Sequence, residues 1–245
     1  MTLHHHRIRG LRIKSSPNLR GRLIFYANPT NTSIKQIQRI LFRDLGYVKK
    51  GVCVRCYSCS KLSLSILCKQ CIEQLFPMQM HTRTIGTLDV VSFYKYSTLE
   101  PLLLTKHKPE GYRIYKALAR MTLKPFIEEF IEHDDGDVYI VGIDEHIKHG
   151  YAHVALLTHA MKTKTSIPLH ASLMAQNRVN YAGKTLQFRL ENPRNFTYTG
   201  EKNIDVILVD DIITTGITLQ EAQKVLMQHG VNVLFALTLA DVGEG

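Results

Sequence analysis

Between residues 204 and 222 the chain reads IDVILVDDIITTGITLQEA, an apolar stretch that runs into two adjacent acids, then two threonines and a glycine, and then turns helical. Residues 204–209 have the composition of a buried strand, residues 218–229 the spacing of a helix with Gly230 as its stop, and residues 231–239 are apolar again. Strand, helix and strand in succession, with both strands apolar, are compatible with a parallel sheet covered on both faces. In such sheets ligands bind where strands end and the next helix begins. The segment therefore predicts an α/β fold and places a candidate site at residues 210–218.

The rest of the chain fits that frame. Residues 88–96 (LDVVSFYKY) are rich in β-branched and aromatic side chains and read as a strand. Residues 98–106 and 110–132 read as helices, the second bent or broken at Pro125. HDDGD at 133–137 is a turn leading into a strand at 138–143, and Val154, Leu157 and Met161 predict a helix over 150–164. Residues 177–200 are polar, basic and aperiodic, a long excursion from the core. No internal repeat is present.

The acids and the loop after them ask for different parts of one ligand. Thr214, Thr215 and Gly216, just ahead of a helix whose start is marked by Thr218 and Glu221 as a capping box, offer N–H groups, hydroxyls and a positive dipole end to an anion. Asp210 and Asp211 would repel that anion, but carboxylates suit vicinal sugar hydroxyls. A ribose 5-phosphate fits both halves.

All five cysteines, Cys53, Cys56, Cys59, Cys68 and Cys71, fall within 19 residues. Two Cys-x2-Cys pairs separated by eight residues have the spacing of a closed, structural four-thiolate zinc site, and their clustering indicates a reducing compartment. Cys53-x2-Cys56 is also a pair, so spacing alone leaves the first knuckle open to a slip of three residues.

The net charge of +10 belongs to one end: residues 1–53 hold 11 Lys/Arg and one acid, leaving 20 basic and 20 acidic residues in 54–245. The body is neutral, so the pI gives no argument that it binds nucleic acid. Residues 1–53 read as a mobile basic tail or a phosphate-gripping arm, with a basic amphipathic helix at 33–45. No apolar run reaches the roughly 20 residues that cross a bilayer, which predicts a cytoplasmic protein without a membrane span.

His146, His149 and His153 read as solvated or core-satisfied rather than as metal ligands. Arg178, Lys184, Arg189 and Arg194 alternate with Tyr181, Phe188, Phe196 and Tyr198. That pattern suits a single nucleic-acid strand, a flap over a ligand, or a solvated loop.

Residues 206–218 resemble the thirteen-residue phosphoribosyl pyrophosphate (PRPP) motif of type I phosphoribosyltransferases. Together with the four-cysteine module they resemble the ComF family (ComFC type) of late competence proteins, over about Arg55 to Ala240. The resemblance implies a phosphoribosyltransferase-like, mostly parallel sheet flanked by helices (81–245), a zinc-knuckle module (54–80) and an extension or misplaced start (1–53). It implies Asp210 and Asp211 on the ribose hydroxyls, with Ile213, Thr214, Thr215, Gly216, Ile217 and Thr218 around the 5-phosphate. Asp144, Lys184, Arg189 and Arg194 fall at the pyrophosphate loop and basic flap, and Cys56, Cys59, Cys68 and Cys71 match the zinc ligands. Mg²⁺ would accompany PRPP. Many family members carry proline-rich and Arg-Gly-Phe-Asn-Gln segments where this chain has GIDEHIKHGYAH at 142–153.

The implied function is a competence factor for natural transformation that binds PRPP and handles incoming single-stranded DNA alongside other competence or recombination proteins. The alternative is a metabolic phosphoribosyltransferase of the nucleobase-salvage or amidotransfer type.

Overall fold

The computed structural model describes residues 78–132, 136–144, 146–147, 150–177, 179, 181 and 185–243, together with three backbone strands nearer the start. The helix expected at 33–45, the cysteine module through residue 77, Glu145, His149, Arg178 and Lys184 lie outside the described residues. The early strands β1 (Arg7–Ile8), β2 (Leu11–Lys14) and β3 (Ile24–Ala27) pair antiparallel in that order.

The main sheet has six strands: β4 (His81–Ile85), β5 (Leu88–Lys95), β6 (Val138–Gly142), β7 (Ser166–Pro168), β10 (Asp205–Ile213) and β11 (Asn232–Asp241). Their order is β4-β5-β11-β10-β6-β7, and every pairing is parallel except the β4–β5 hairpin. The hairpin turns at Gly86 and Thr87, with Gly86 at φ +61°, the geometry that two-residue hairpin turns require. Two further short strands, β8 (Leu173–Ala175) and β9 (Phe196–Tyr198), pair antiparallel outside the main sheet.

Helices cover both faces. On one lie α1 (Tyr96–Leu103), α2 (Pro109–Met121), α3 (Leu123–Ile131) and α4 (His153–Ala160), where Leu102, Ile114, Leu118 and Ile127 pack with Ile207, Val209, Phe235 and Leu237. On the other, α6 (Ile217–Gln228) sets Leu219, Ala222 and Leu226 against Val206, Leu208 and Ala236, joined by Leu173 and Phe196 of β8 and β9. Among the described residues a further helix, α5 (Leu186–Glu191), lies in the excursion.

Two expectations are corrected. The long helical stretch breaks at Thr122, not at Pro125. Pro125 is the third residue of α3, where a missing N–H costs nothing, and the ring's conflict with the carbonyl four residues back falls at the junction itself. The capping box is also absent: α6 starts from Gly216 without a side-chain cap, Thr218 is already its second residue, and Glu221 bonds elsewhere. Its other end is as predicted. Gly230 at φ +77° carries a Schellman motif, with its N–H on the Met227 carbonyl at 3.1 Å and that of Val231 on Leu226 at 3.1 Å.

Candidate functional site

Asp210 and Asp211 lie within β10 near its C-terminal end, where alternation sends their side chains to opposite faces. Asp211 turns into the layer of α1 to α4. Its Oδ2 accepts from Lys106 Nζ at 3.0 Å and from the Tyr115 hydroxyl at 3.0 Å, with His153 Nε2 at 3.4 Å. Lys106 comes from the 3-10 turn Leu104–His107 between α1 and α2. Asp210 accepts from the backbone N–H of Asp211 at 2.8 Å.

Burial disfavours charge on both acids, but the pair divides. Against that burial, the Lys106 ammonium, His153 and the Tyr115 hydroxyl hold Asp211 well below the usual carboxylate range. Burial, with the charge on Asp211 next to it, pushes Asp210 well above that range. Lys106 is held above its ordinary value because Asp211, and more weakly Asp210, outweigh its own desolvation. Burial raises the Tyr115 hydroxyl, and the neighbouring carboxylate raises it further, so it stays a donor.

Downstream the chain turns at Gly216, φ +81°, to open the twelve-residue helix α6. A Cβ there would strike Ile85 at the end of β4, so Gly216 meets both a left-handed backbone and a close approach. Thr214 is gripped twice: its carbonyl accepts from Arg83 of β4, its hydroxyl from Arg189 of α5. Arg83 also pairs with Asp241 at 3.3 Å, and His81 lies 3.2 Å from the same carboxylate. The loop is thus tied to the β4 edge on one side and to the excursion on the other.

The excursion forms a hood. Glu221 of α6 accepts the backbone N–H groups of Arg194 at 3.1 Å and Asn195 at 2.7 Å, fixing the strand β9 to the helix beside it. The Tyr181 ring lies under both guanidinium groups, 5.6 Å from Arg189 and 4.7 Å from Arg194. Arg194 also pairs with Asp144 at 3.0 Å. Asp144, with φ +50°, follows β6, and its other oxygen accepts the Ala175 N–H at 3.3 Å.

Of the residues expected from sequence, Asp210, Asp211 and 213–218 share one strand end and loop, while Arg189, Arg194 and Asp144 gather around Tyr181. Sequence reasoning missed Lys106, Tyr115, His153, Arg83 and Glu221 as members of the site. His153 in particular read as a bystander, and it faces Asp211. Among the described residues no cluster of three or more His, Cys, Asp or Glu has the arrangement of a metal site, and no helix is long and apolar enough to cross a membrane.

No protein-family model matches the chain, and no curated protein does. Similar solved structures include an adenine phosphoribosyltransferase at 15% identity, covering 70% of this chain and 88% of that one, with a TM-score of 0.35. The adenine phosphoribosyltransferase of Saccharomyces cerevisiae, at 16% identity over 70% and 87% of the two chains, gives 0.36. A hypoxanthine phosphoribosyltransferase of Staphylococcus aureus, at 20% identity over 52% and 62%, gives 0.32. Likeness of that order concerns general architecture and carries no chemistry.

Proposed function

We propose that the end of β10 and the loop into α6 bind PRPP with Mg²⁺, and that the protein serves natural transformation by handling incoming single-stranded DNA in the cytoplasm. One observation carries the reading of the site: a left-handed Gly216 opens a twelve-residue helix a short loop after two acids near the C-terminal end of a parallel strand. Backbone N–H groups and hydroxyls of 213–218 suit the 5-phosphate. Asp210, with Oδ1 of Asp211, suits the ribose hydroxyls, since Oδ2 of Asp211 takes its three partners. Arg189, Arg194, Asp144 and Lys184 belong to the pyrophosphate side.

Mg²⁺ would be carried in by the diphosphate, which it charge-neutralises; among the described residues no group of three or more His, Cys, Asp or Glu is arranged to hold a metal by itself. The reaction such a site supports is displacement at ribose C1. A bond forms from the acceptor to C1 as the C1–O bond to pyrophosphate breaks, and the electron pair leaves with the pyrophosphate. Asp210 and Asp211, the catalytic pair of this reading, would orient the sugar and stabilise the positive charge that grows on it, Asp210 in its ionised form. Zinc on Cys56, Cys59, Cys68 and Cys71 would fold the preceding module, and metal analysis finding under half an equivalent would remove that part of the reading.

Calorimetric titration of PRPP with Mg²⁺ tests the site, with Asp210→Asn/Asp211→Asn as control. Saturable heat in the wild type alone is the expected result. Deletion tests the role: loss of transformation is expected, whereas normal transformation with a new purine or pyrimidine requirement favours the metabolic phosphoribosyltransferase. That second reading draws on the hood, which sets Arg189 on the loop hydroxyl of Thr214 as a catalytic flap would.

A further inference from the structure

A diphosphate that docks beside two aspartates needs cations close by, and the two described arginines of the hood already have partners. The stretch 142–153, which holds the loop following β6, contains no arginine; its single lysine, Lys148, lies outside the described residues, as does Lys184. Arg194 pairs with Asp144 at 3.0 Å, and Arg189 bonds the Thr214 hydroxyl and the Tyr181 carbonyl, so both also hold the hood together.

We infer that Lys106, delivered by the 3-10 turn between α1 and α2 and held on Asp211, is a further cation that receives the ligand's pyrophosphate. This rests on the PRPP reading above. Lys106 stands at the strand end with its side chain 28% exposed, whereas that of Asp211 is 7% exposed, so the lysine is the more accessible member of the pair. Tyr115 and His153 already face Asp211, so a lysine is not needed merely to give that carboxylate a partner. A partly buried lysine pair costs desolvation and seldom repays it as stability, which makes a ligand role the better account.

The turn is also fixed from the place where the ligand would lie. The Tyr151 hydroxyl, from the loop after β6, donates to the Lys106 carbonyl at 2.7 Å, and Lys108 N–H closes the turn on Thr105 at 2.7 Å. Gly111 lets α2 approach: a Cβ there would strike both the Thr105 carbonyl and the Tyr151 hydroxyl. Lysine, turn and loop form one contact set, although 45 residues separate Lys106 from Tyr151.

The test compares PRPP with ribose 5-phosphate, which lacks the pyrophosphate, each titrated with Mg²⁺ into wild type, Lys106→Met and Lys106→Arg. Lys106→Met should weaken PRPP by about tenfold or more, the scale of a charge-assisted hydrogen bond. It should leave ribose 5-phosphate within about twofold, and Lys106→Arg should recover most of the loss. Equal weakening of both ligands, or of neither, overturns the inference while the PRPP reading stands. No binding of either ligand by the wild type overturns both. Thermal melts check folding, and if Lys106→Met does not melt cooperatively, Lys106→Gln, which can still bond Asp211, makes the same comparison.

Discussion

Lys106 and Asp211, 105 residues apart in sequence, meet at 3.0 Å beneath the end of the central strand. A carboxyl held below its ordinary value contributes stability that is present above about pH 4 and lost as pH falls through the folded value. Asp210, held above its ordinary value, acts in the opposite sense: its contribution is present below about pH 4 and lost as pH rises through its folded value. Below pH 4 wild-type stability should therefore fall with Asp211. Lys106→Met should flatten that fall, read from urea midpoints between pH 2 and 5; parallel curves for the two proteins would contradict the pairing.

The same division affects binding. A protonated Asp210 is a poorer acceptor for sugar hydroxyls, so ribose 5-phosphate affinity should rise as pH climbs above the ordinary carboxylate range and Asp210 ionises. Asp210→Asn should lack that rise once the ligand's own titration is subtracted with the same buffer series. A variant profile identical to the wild type would assign the pH dependence to another group.

Gly216→Ala should destabilise the chain by about 1–2 kcal/mol for its left-handed backbone, with more from collision with Ile85. Adding Ile85→Ala should recover the collision share and leave the backbone share. Chemical denaturation of the single and double variants separates the two, and full recovery would mean the backbone conformation is unimportant.

Glu221→Ala removes the acceptor for two N–H groups of the hood, a loss of about 1–3 kcal/mol. Hydrogen exchange should quicken at residues 194–198 while β11 keeps its protection. Uniform acceleration through the sheet would show that the hood and core open together.

Phe235→Ala should cost about 3–5 kcal/mol, because its ring is buried on the central sheet, 5.4 Å from Phe130 and 6.1 Å from Phe126. A shift in thermal midpoint of only a degree or two would mean that α3 collapses into the cavity.

The parts of the fold that sequence displayed were those with local signals. β10, α6 and β11 follow from an apolar run, a helical spacing and Gly230. β4 went unseen because HTRTI alternates polar with polar, as an edge strand can, although Ile85-Gly86-Thr87-Leu88 carried a hairpin signal. The break at Thr122 misled because Pro125 marks a conflict whose location is four residues earlier.

The site divided along the same line. Its loop lies within one continuous segment, and so it could be read directly. Lys106, Tyr115 and Arg83 reach it across 105, 96 and 131 residues, and no periodicity records such meetings. Glu221 looked like a local cap because its spacing from Thr218 fits one. Its real partners are 27 and 26 residues away, in a segment with no pattern of its own.

Arg83 gives the edge strand a practical meaning. Shortening the chain to isolate its catalytic-looking half would tempt one to begin at β5, the first strand with an apolar signature. That cut would discard the arginine on the Thr214 carbonyl, the isoleucine packed at Gly216 and the two side chains, His81 and Arg83, that face Asp241. A useful minimal fragment has to start before His81, and one beginning at Leu88 should fold with the loop 214–216 slack.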